Sequence, residues 1–381
     1  MENTLKERHQ SVYQKTPDRL YFSPGRANLI GEHTDYSGGY VLPVSISLGI
    51  HAAVSSREDK KIRVYSEDFK ESGVMTAEKG DGYVQGRGFM NYIEGILHVL
   101  REEGKPPLNG FSITLMSTLP KSAGLSSSAA LEVLILTILN EECALGLDKA
   151  SIAKLARKVE NTYIGVSSGI MDQFAVALGK KDHALLLDTE SLDCEHIPLD
   201  LARHTLVMMN THKSRDLVDS AYNERFRAVE RAKDHFTRPL GKVSLETFEK
   251  EAPAMEATLQ RRLRHVVSEN KRTLEAKDAL LKGDYVKVGS LMNASHDSLK
   301  NLFEVSCAEL DYLVDWHRAH GALGARMTGA GFGGTMIALY EKKDVPDFDG
   351  LASEYAKRFA LPLGVYMAQG ADGAKRMGGE R

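Results

Sequence analysis

Cysteine is scarce in this 381-residue chain, and Cys143, Cys194 and Cys307 lie far apart with no CxxC pair. That spacing argues against a zinc site or a disulfide framework and suits a reducing compartment. Charge of one sign is also in short supply. The formal net charge of −3 leaves no basic surplus to attract nucleic acid or an anionic membrane. Long apolar runs are missing. The most apolar stretch, around Leu131–Leu139, is too short and too close to Glu132 and Asn140 to span a bilayer. The opening residues, MENTLKERHQSVYQK, are polar and lack the apolar segment of a signal peptide. No Walker-type phosphate loop ending in Lys-Ser or Lys-Thr occurs, and neither repeats nor low-complexity tracts are visible. A cytoplasmic globular chain is therefore expected. With 42% hydrophobic and 27% charged residues it has ample material for a core, and its length predicts two domains or one two-lobed unit.

What is present begins with strands. Residues 41–55, 62–66, 111–120, 183–188, 205–210 and 335–340 are rich in β-branched or alternating apolar residues. Residues 129–146 predict a helix of about five turns ending at Gly146. Asp148 reads as the N-cap of a second helix that stops at Gly165. Further on, 217–236, 254–282 and 307–320 read as long charged helices, with 237–252 a polar connector. An α/β (α+β) chain is expected, with a first lobe over 1–195 and a second over 196–381.

Three segments carry chemistry. PGRANLIGEHTDYSGGYVLP (24–43) packs Arg26, Glu32, His33 and Asp35 among four glycines. Carboxylates that accept from hydroxyls, beside His and Arg that donate, suit a polar neutral ligand such as a sugar; the competing reading is a salt-bridged surface turn. PKSAGLSSSAALE (120–132) sets small residues and serines directly before a helix, where free backbone N–H groups and the helix dipole favour phosphate. The plainer alternative there is a serine N-cap. MTGAGFGG (327–334) satisfies GxGxxG, but a strand follows it, so it lacks the helix of a dinucleotide fingerprint. A loop supporting phosphates and a structural glycine hairpin are both open for it. In GIMDQF, Asp172 stands among apolar neighbours, where a carboxylate must be paired or functional. Glu160, on the preceding helix, could reach a metal; taken alone, such a residue is more often a solvated surface group.

Read in order, these segments resemble the galactokinase branch of the GHMP small-molecule kinases. The resemblance extends through ENTYIGVSSGIMDQF, LVDSAYNERF, RHVVSEN and CAELDYLVDWHRAHGALGARMTGAGFGG, and so covers nearly the whole chain. It implies a two-lobed fold with the active site in the cleft between lobes, and ATP-dependent phosphorylation of galactose at its C1 hydroxyl. By position, it places sugar binding on Glu32, His33, Thr34, Asp35, Gly169 and Tyr222. The phosphate loop falls on Ser122, Ala123, Gly124, Leu125, Ser126, Ser127 and Ser128, with Ser66 near the nucleotide. Mg²⁺ falls to Ser128 and Glu160. Asp172 takes the place of the catalytic base and Arg26 that of the transition-state stabiliser. Galactose and ATP are the expected ligands, nucleic acid and membrane are not, and a monomer is expected.

Asp172 is favoured over Glu32 and Asp35 as base because its sequence neighbours are apolar, which predicts scarcer water around it. Four positions depart from the family pattern: Ser122 where glycine is usual, Ser168 for a common cysteine, Phe89 for a frequent tryptophan and Phe226 for the second arginine of YNERR. Kinases for N-acetylgalactosamine or arabinose, and a catalytically inactive galactose- and ATP-binding regulator, are the alternatives.

Overall fold

The computed structural model describes residues 1–76, 80, 82–121, 123–214 and 218–378. Its strands are β1 (Arg19–Asn28), β2 (Tyr40–Val41), β3 (Pro43–Arg57), β4 (Lys61–Ser66), β5 (Glu71–Thr76), β6 (Gly110–Ser117), β7 (His183–Asp188), β8 (Cys194–Pro198), β9 (His204–Asn210), β10 (Gly324–Thr328), β11 (Thr335–Glu341), β12 (Gly364–Ala368) and β13 (Lys375–Arg376). Its helices are α1 (Glu2–Tyr13), α2 (Phe89–Glu102), α3 (Ser127–Glu142), α4 (Lys149–Lys158), α5 (Met171–Leu178), α6 (Val218–Glu230), α7 (Leu245–Glu251), α8 (Ala257–Leu281), α9 (Tyr285–Ser298), α10 (Ala308–Ala319) and α11 (Asp349–Phe359).

The strands form a six-stranded sheet ordered β13-β1-β3-β6-β4-β5, a four-stranded sheet β10-β11-β9-β12 and a small sheet β2-β7-β8. Among the described residues, only β4 and β6 run parallel in the first sheet. Against it packs α3, in which every residue from Ala129 to Leu139 is buried. A helix that is apolar all round belongs inside a core, which explains why this segment shows no amphipathic period.

The four-stranded sheet divides two cores by strand alternation. Leu206, Met208, Ile337 and Leu339 face the core that contains α3. Val207, Met209, Ala338 and Tyr340 face the other, built around α8 and α10 with Leu263, Val266 and Leu313. With both faces covered, β9 reads as a continuous apolar run. At the chain's far end β13 returns to pair with β1. No helix among the described residues is long and apolar enough to cross a membrane.

Several predicted elements differ in extent. The run 41–55 is two strands separated at Leu42, because their partners differ: β2 pairs with β7 and β3 pairs with β1 and β6. The helix expected to reach Gly146 ends at Glu142, and Ala144 follows in a left-handed conformation at φ 51°. The supposed connector 237–252 contains α7, which buries Phe248 under a Ser244 cap that accepts from the Thr247 N–H at 3.1 Å. The second helix behaves as its caps require: the Asp148 side chain accepts from the Ser151 N–H, and Gly165 stops it at φ 83°. Its last turn, Val159–Ile164, is π-helical.

Candidate active site

The residues of 24–28 are the end of β1, not a glycine-rich turn. Gly25 is needed because β1 abuts the serine loop; a Cβ there would lie 2.6 Å from Leu119 Cδ2 and 2.7 Å from the Leu125 carbonyl. The next residue, Arg26, is buried and points along the same loop. Its Nε donates to Asp172 Oδ1 at 2.8 Å, its Nη2 to Asp172 Oδ2 at 2.9 Å and its Nη1 to the Gly124 carbonyl at 2.8 Å. Ser126 donates its hydroxyl to Asp172 Oδ2 at 2.6 Å. Because that hydroxyl faces Asp172, it does not cap α3, whose first-turn N–H groups lack any side-chain acceptor among the described residues.

The expectation that Asp172 lies where water is scarce is corrected. Its side chain is 30% exposed, whereas the Glu32 side chain is 2% exposed. Met171 and Gln173 are buried, but on α5 consecutive residues point in different directions, so the apolar sequence neighbours of Asp172 are not its neighbours in space.

The segment between β1 and β2 carries the other polar groups. Glu32 Oε1 accepts from the Gly329 N–H at 2.7 Å and its Oε2 from Asn28 Nδ2 at 3.0 Å, and Oε2 forms an ion pair with Arg326 Nη2, 2.6 Å away. His33 is held neutral, its pKa lowered to about 3 by burial and then by His265. Its Nδ1 accepts from the Tyr36 hydroxyl at 2.8 Å and its Nε2 donates to the Ala330 carbonyl at 3.2 Å. Both ring nitrogens are thus engaged by protein, unlike the free donor expected from sequence. Thr34 is buried with its hydroxyl 2.8 Å from the Gly31 and Tyr40 carbonyls, so it closes the loop on itself. Asp35 rests directly over Gly169, where any Cβ would overlap its carboxylate. Burial, followed by the charges of Asp172 and Glu32, pushes the Asp35 pKa up to about 7. Tyr222 on α6 packs tilted against His33 and edge-on to Tyr36, each at 5.7 Å between ring centres. Burial and then the nearby Asp35 and Asp172 keep it a phenol.

Glu32, His33, Asp35, Gly169 and Tyr222 line one cavity of about 340 Å³, together with Arg26, Asp172, Gly124 and Ala330, whereas Thr34 does not reach it. A second cavity of about 470 Å³ holds Ser66, Asp68, Phe69, Phe89, Tyr92 and Lys121. The two share Leu119, Pro120, Ser127 and Ser128, so the start of α3 stands at their junction. Phe69 stacks on Phe89 at 5.4 Å, which gives the second cavity a flat aromatic wall. Ser122 lies outside the described residues.

Glu160 is buried in the π-helical turn. Burial raises its pKa, opposed by hydrogen bonds from Ser168 and Ser128, and Gln173 Nε2 donates to its Oε2 at 2.9 Å. Glu160 and Ser128 both line the first cavity, and a carboxylate with a hydroxyl forms a hard-oxygen pair. That donor set fits Mg²⁺, which takes few protein ligands and keeps water and phosphate oxygens.

The glycine-rich segment 329–334 is the loop of the β10–β11 hairpin. It meets the sugar-type segment through Gly329 and Ala330, and Thr335 at its end donates to the Ala123 carbonyl at 2.7 Å. Sequence reasoning missed Arg326, Asn28 and Tyr36. Arg326 carried a signal: a charged residue between Ala325 and Met327 in an apolar strand must be paired, and here it is fully buried against Glu32.

Comparisons with known proteins give concordant matches. A model described as the galactokinase galactose-binding signature matches residues 7–56, one for the GHMP kinases N terminal domain matches 91–180, and one for the GHMP kinases C terminal matches 276–349. A galactokinase of Enterococcus faecalis is 44% identical, over 99% of this chain and all of its own. One of Exiguobacterium sibiricum is 43% identical, over 99% and 98%. The crystal structure of Lactococcus lactis galactokinase complexed with galactose superposes with a TM-score of 0.92 at 39% identity, covering 98% of this chain and 99% of that one. The Methanococcus jannaschii mevalonate kinase shares the fold, with a TM-score of 0.65 at 20% identity.

Proposed function

Because the chain belongs to the galactokinase family of GHMP kinases, we infer that its cleft transfers the γ-phosphoryl group of ATP to the C1 hydroxyl of galactose, giving galactose 1-phosphate and ADP. The observation that carries this reading is the pair of adjoining cavities sharing Ser127 and Ser128, one lined by carboxylates and Tyr222, the other by Ser66 and an aromatic wall. Galactose belongs in the first and ATP in the second, so that the transferred group lies against the start of α3.

Phosphoryl transfer asks mainly for alignment and charge stabilisation. The uncapped N–H groups of α3 bind phosphate oxygens, helped by the helix dipole. Ser128 and Glu160 would hold Mg²⁺, which would supply positive charge to offset that of the phosphate oxygens. Arg26 places positive charge beside the transferred group while its fork fixes the Asp172 carboxylate. Asp35, Tyr222 and Asp172 orient the sugar hydroxyls. Glu32 and His33 shape the pocket wall through their bonds to the hairpin loop, and Thr34 holds the loop closed.

Asp172 takes the C1 proton, since it lines the sugar cavity while Arg26, together with Ser126 of the serine loop, fixes its carboxylate. Asp35 is the second reading, because a carboxylate titrating at about 7 is matched to general-base work. Steady-state kinetics of Asp172→Asn and Asp35→Asn decide between them. Loss of the base lowers kcat by roughly 10²–10⁴, while loss of a binding contact acts mainly on KM. We expect the first pattern for Asp172→Asn and the second for Asp35→Asn; the reverse would transfer the role to Asp35.

Retention of Arg26, Asp172, Ser128 and Glu160 in one cleft favours an enzyme over a catalytically inactive regulator. We further propose that lobes 1–195 and 196–381 close this cleft in a cytoplasmic monomer. The six-stranded sheet, apart from β13, lies in the first lobe and the four-stranded sheet in the second. Three unpaired cysteines fit a reducing compartment.

A further inference from the structure

The segment RHVVSEN lies on α8 and lines neither cavity, yet three of its side chains bind the backbone of the sugar segment. Glu269 is fully buried, and one of its oxygens, Oε1, accepts from the Gly31 N–H at 3.0 Å and the Glu32 N–H at 3.3 Å. The same oxygen accepts from the Ser295 hydroxyl at 2.5 Å, and Oε2 accepts from Arg272 Nε at 2.8 Å. His265 accepts from the Ser298 hydroxyl at Nδ1 and donates from Nε2 to the Glu32 carbonyl at 3.2 Å. Asn270 accepts from the Tyr40 N–H at 2.7 Å and donates to the Gly241 carbonyl at 2.6 Å.

We infer that Glu269 is a positioning residue for sugar recognition: by gripping two successive N–H groups, it sets the peptide plane from which Glu32, His33 and Asp35 project. Two convergent amides form a small nest that an anionic oxygen fills, and a charged acceptor binds them more strongly than a neutral one. The need for such a grip is visible one residue on. His33 sits at φ 61°, a left-handed conformation that a non-glycine residue keeps only when its surroundings over-determine it. Glu269 and His265 hold both sides of the peptide group chain that leads into it. Burial opposes charge on Glu269, but Arg272, His265 and Arg326 outweigh it and bring its pKa to about 2, so the acceptor is anionic at any working pH.

The inference rests on the galactose reading of the first cavity, and calorimetric titration separates the two. Galactose and a non-hydrolysable ATP analogue are titrated separately into the wild-type chain, Glu269→Gln and His265→Phe, with folding followed by circular dichroism and melting. Glu269→Gln keeps the size but loses the charge and turns an N–H group towards a donor. It weakens galactose by about tenfold or more, the order of one charge-assisted hydrogen bond, and leaves the nucleotide affinity unchanged. His265→Phe fills the ring's place beside Phe303, loses the bond to Glu32, and gives the same pattern more weakly. Galactose affinity at the wild-type level in both folded variants would overturn the inference, as would equal losses of galactose and nucleotide. Loss of the fold in both would also overturn it, by making Glu269 a purely structural residue. A wild-type chain that fails to bind galactose would instead sink the galactose reading.

Discussion

At the residue scale, the contact between Gly169 and Asp35 ties two distant motifs through a missing atom. Gly169→Ala leaves the backbone free to adopt its conformation but drives the Asp35 carboxylate out of place. Misplacing a substrate-orienting group by about an ångström costs on the order of 10²-fold, so kcat/KM for galactose falls by that order while the melting temperature changes little. Unchanged kinetics in a folded Gly169→Ala would remove Asp35 from the site.

Asp35 also imposes a pH dependence of defined sign. Its folded pKa of about 7 stands above the ordinary aspartate value of 3.8, first because of burial. The group therefore favours the ligand-free fold most below about pH 4, and this contribution is lost as the pH rises to 7. Asp35→Asn removes the loss, so its melting temperature gains on the wild type between pH 5 and pH 8. A gap independent of pH would show that Asp35 titrates normally.

At the element scale, the π-helical turn after α4 and the short α5 bring Glu160, Gln173 and Asp172 to one side of the cleft. Glu160→Gln preserves shape and loses charge, and raises the half-saturating magnesium concentration about tenfold or more. An unchanged titration would reduce Glu160 to a buried helix residue. Elements with strong local signals were legible: Asp148 and Gly165 fix the ends of one helix, and β-branched runs mark β3, β4 and β9. What stayed illegible were elements whose reasons lie elsewhere in the chain. β1 was not legible as a strand because Pro24 and Gly25 break strand propensity, and the pairing with β3 and the close approach of the serine loop override it. The polar surface of α7 likewise concealed the buried Phe248.

At the scale of the whole molecule, the site is built by contacts that span the chain: Arg26 to Asp172, Glu32 to Arg326 and Gly329, and Glu269 to Gly31. The motif residues could be named from sequence, because glycine and serine clusters with few carboxylates are conspicuous. Their partners could not, since a buried ion pair leaves no spacing signature. The sequence pointed to the wrong carboxylate as the sheltered one because the apolar neighbours of Asp172 along α5 face away from it. The central claim is that these contacts assemble a cleft that phosphorylates galactose at C1. Phosphorus and proton NMR of the purified chain with ATP, magnesium and galactose tests it most directly. The account predicts stoichiometric ADP and a phosphate ester coupled to the anomeric proton. Galactose-independent ADP release, or an ester at any other carbon, would contradict it.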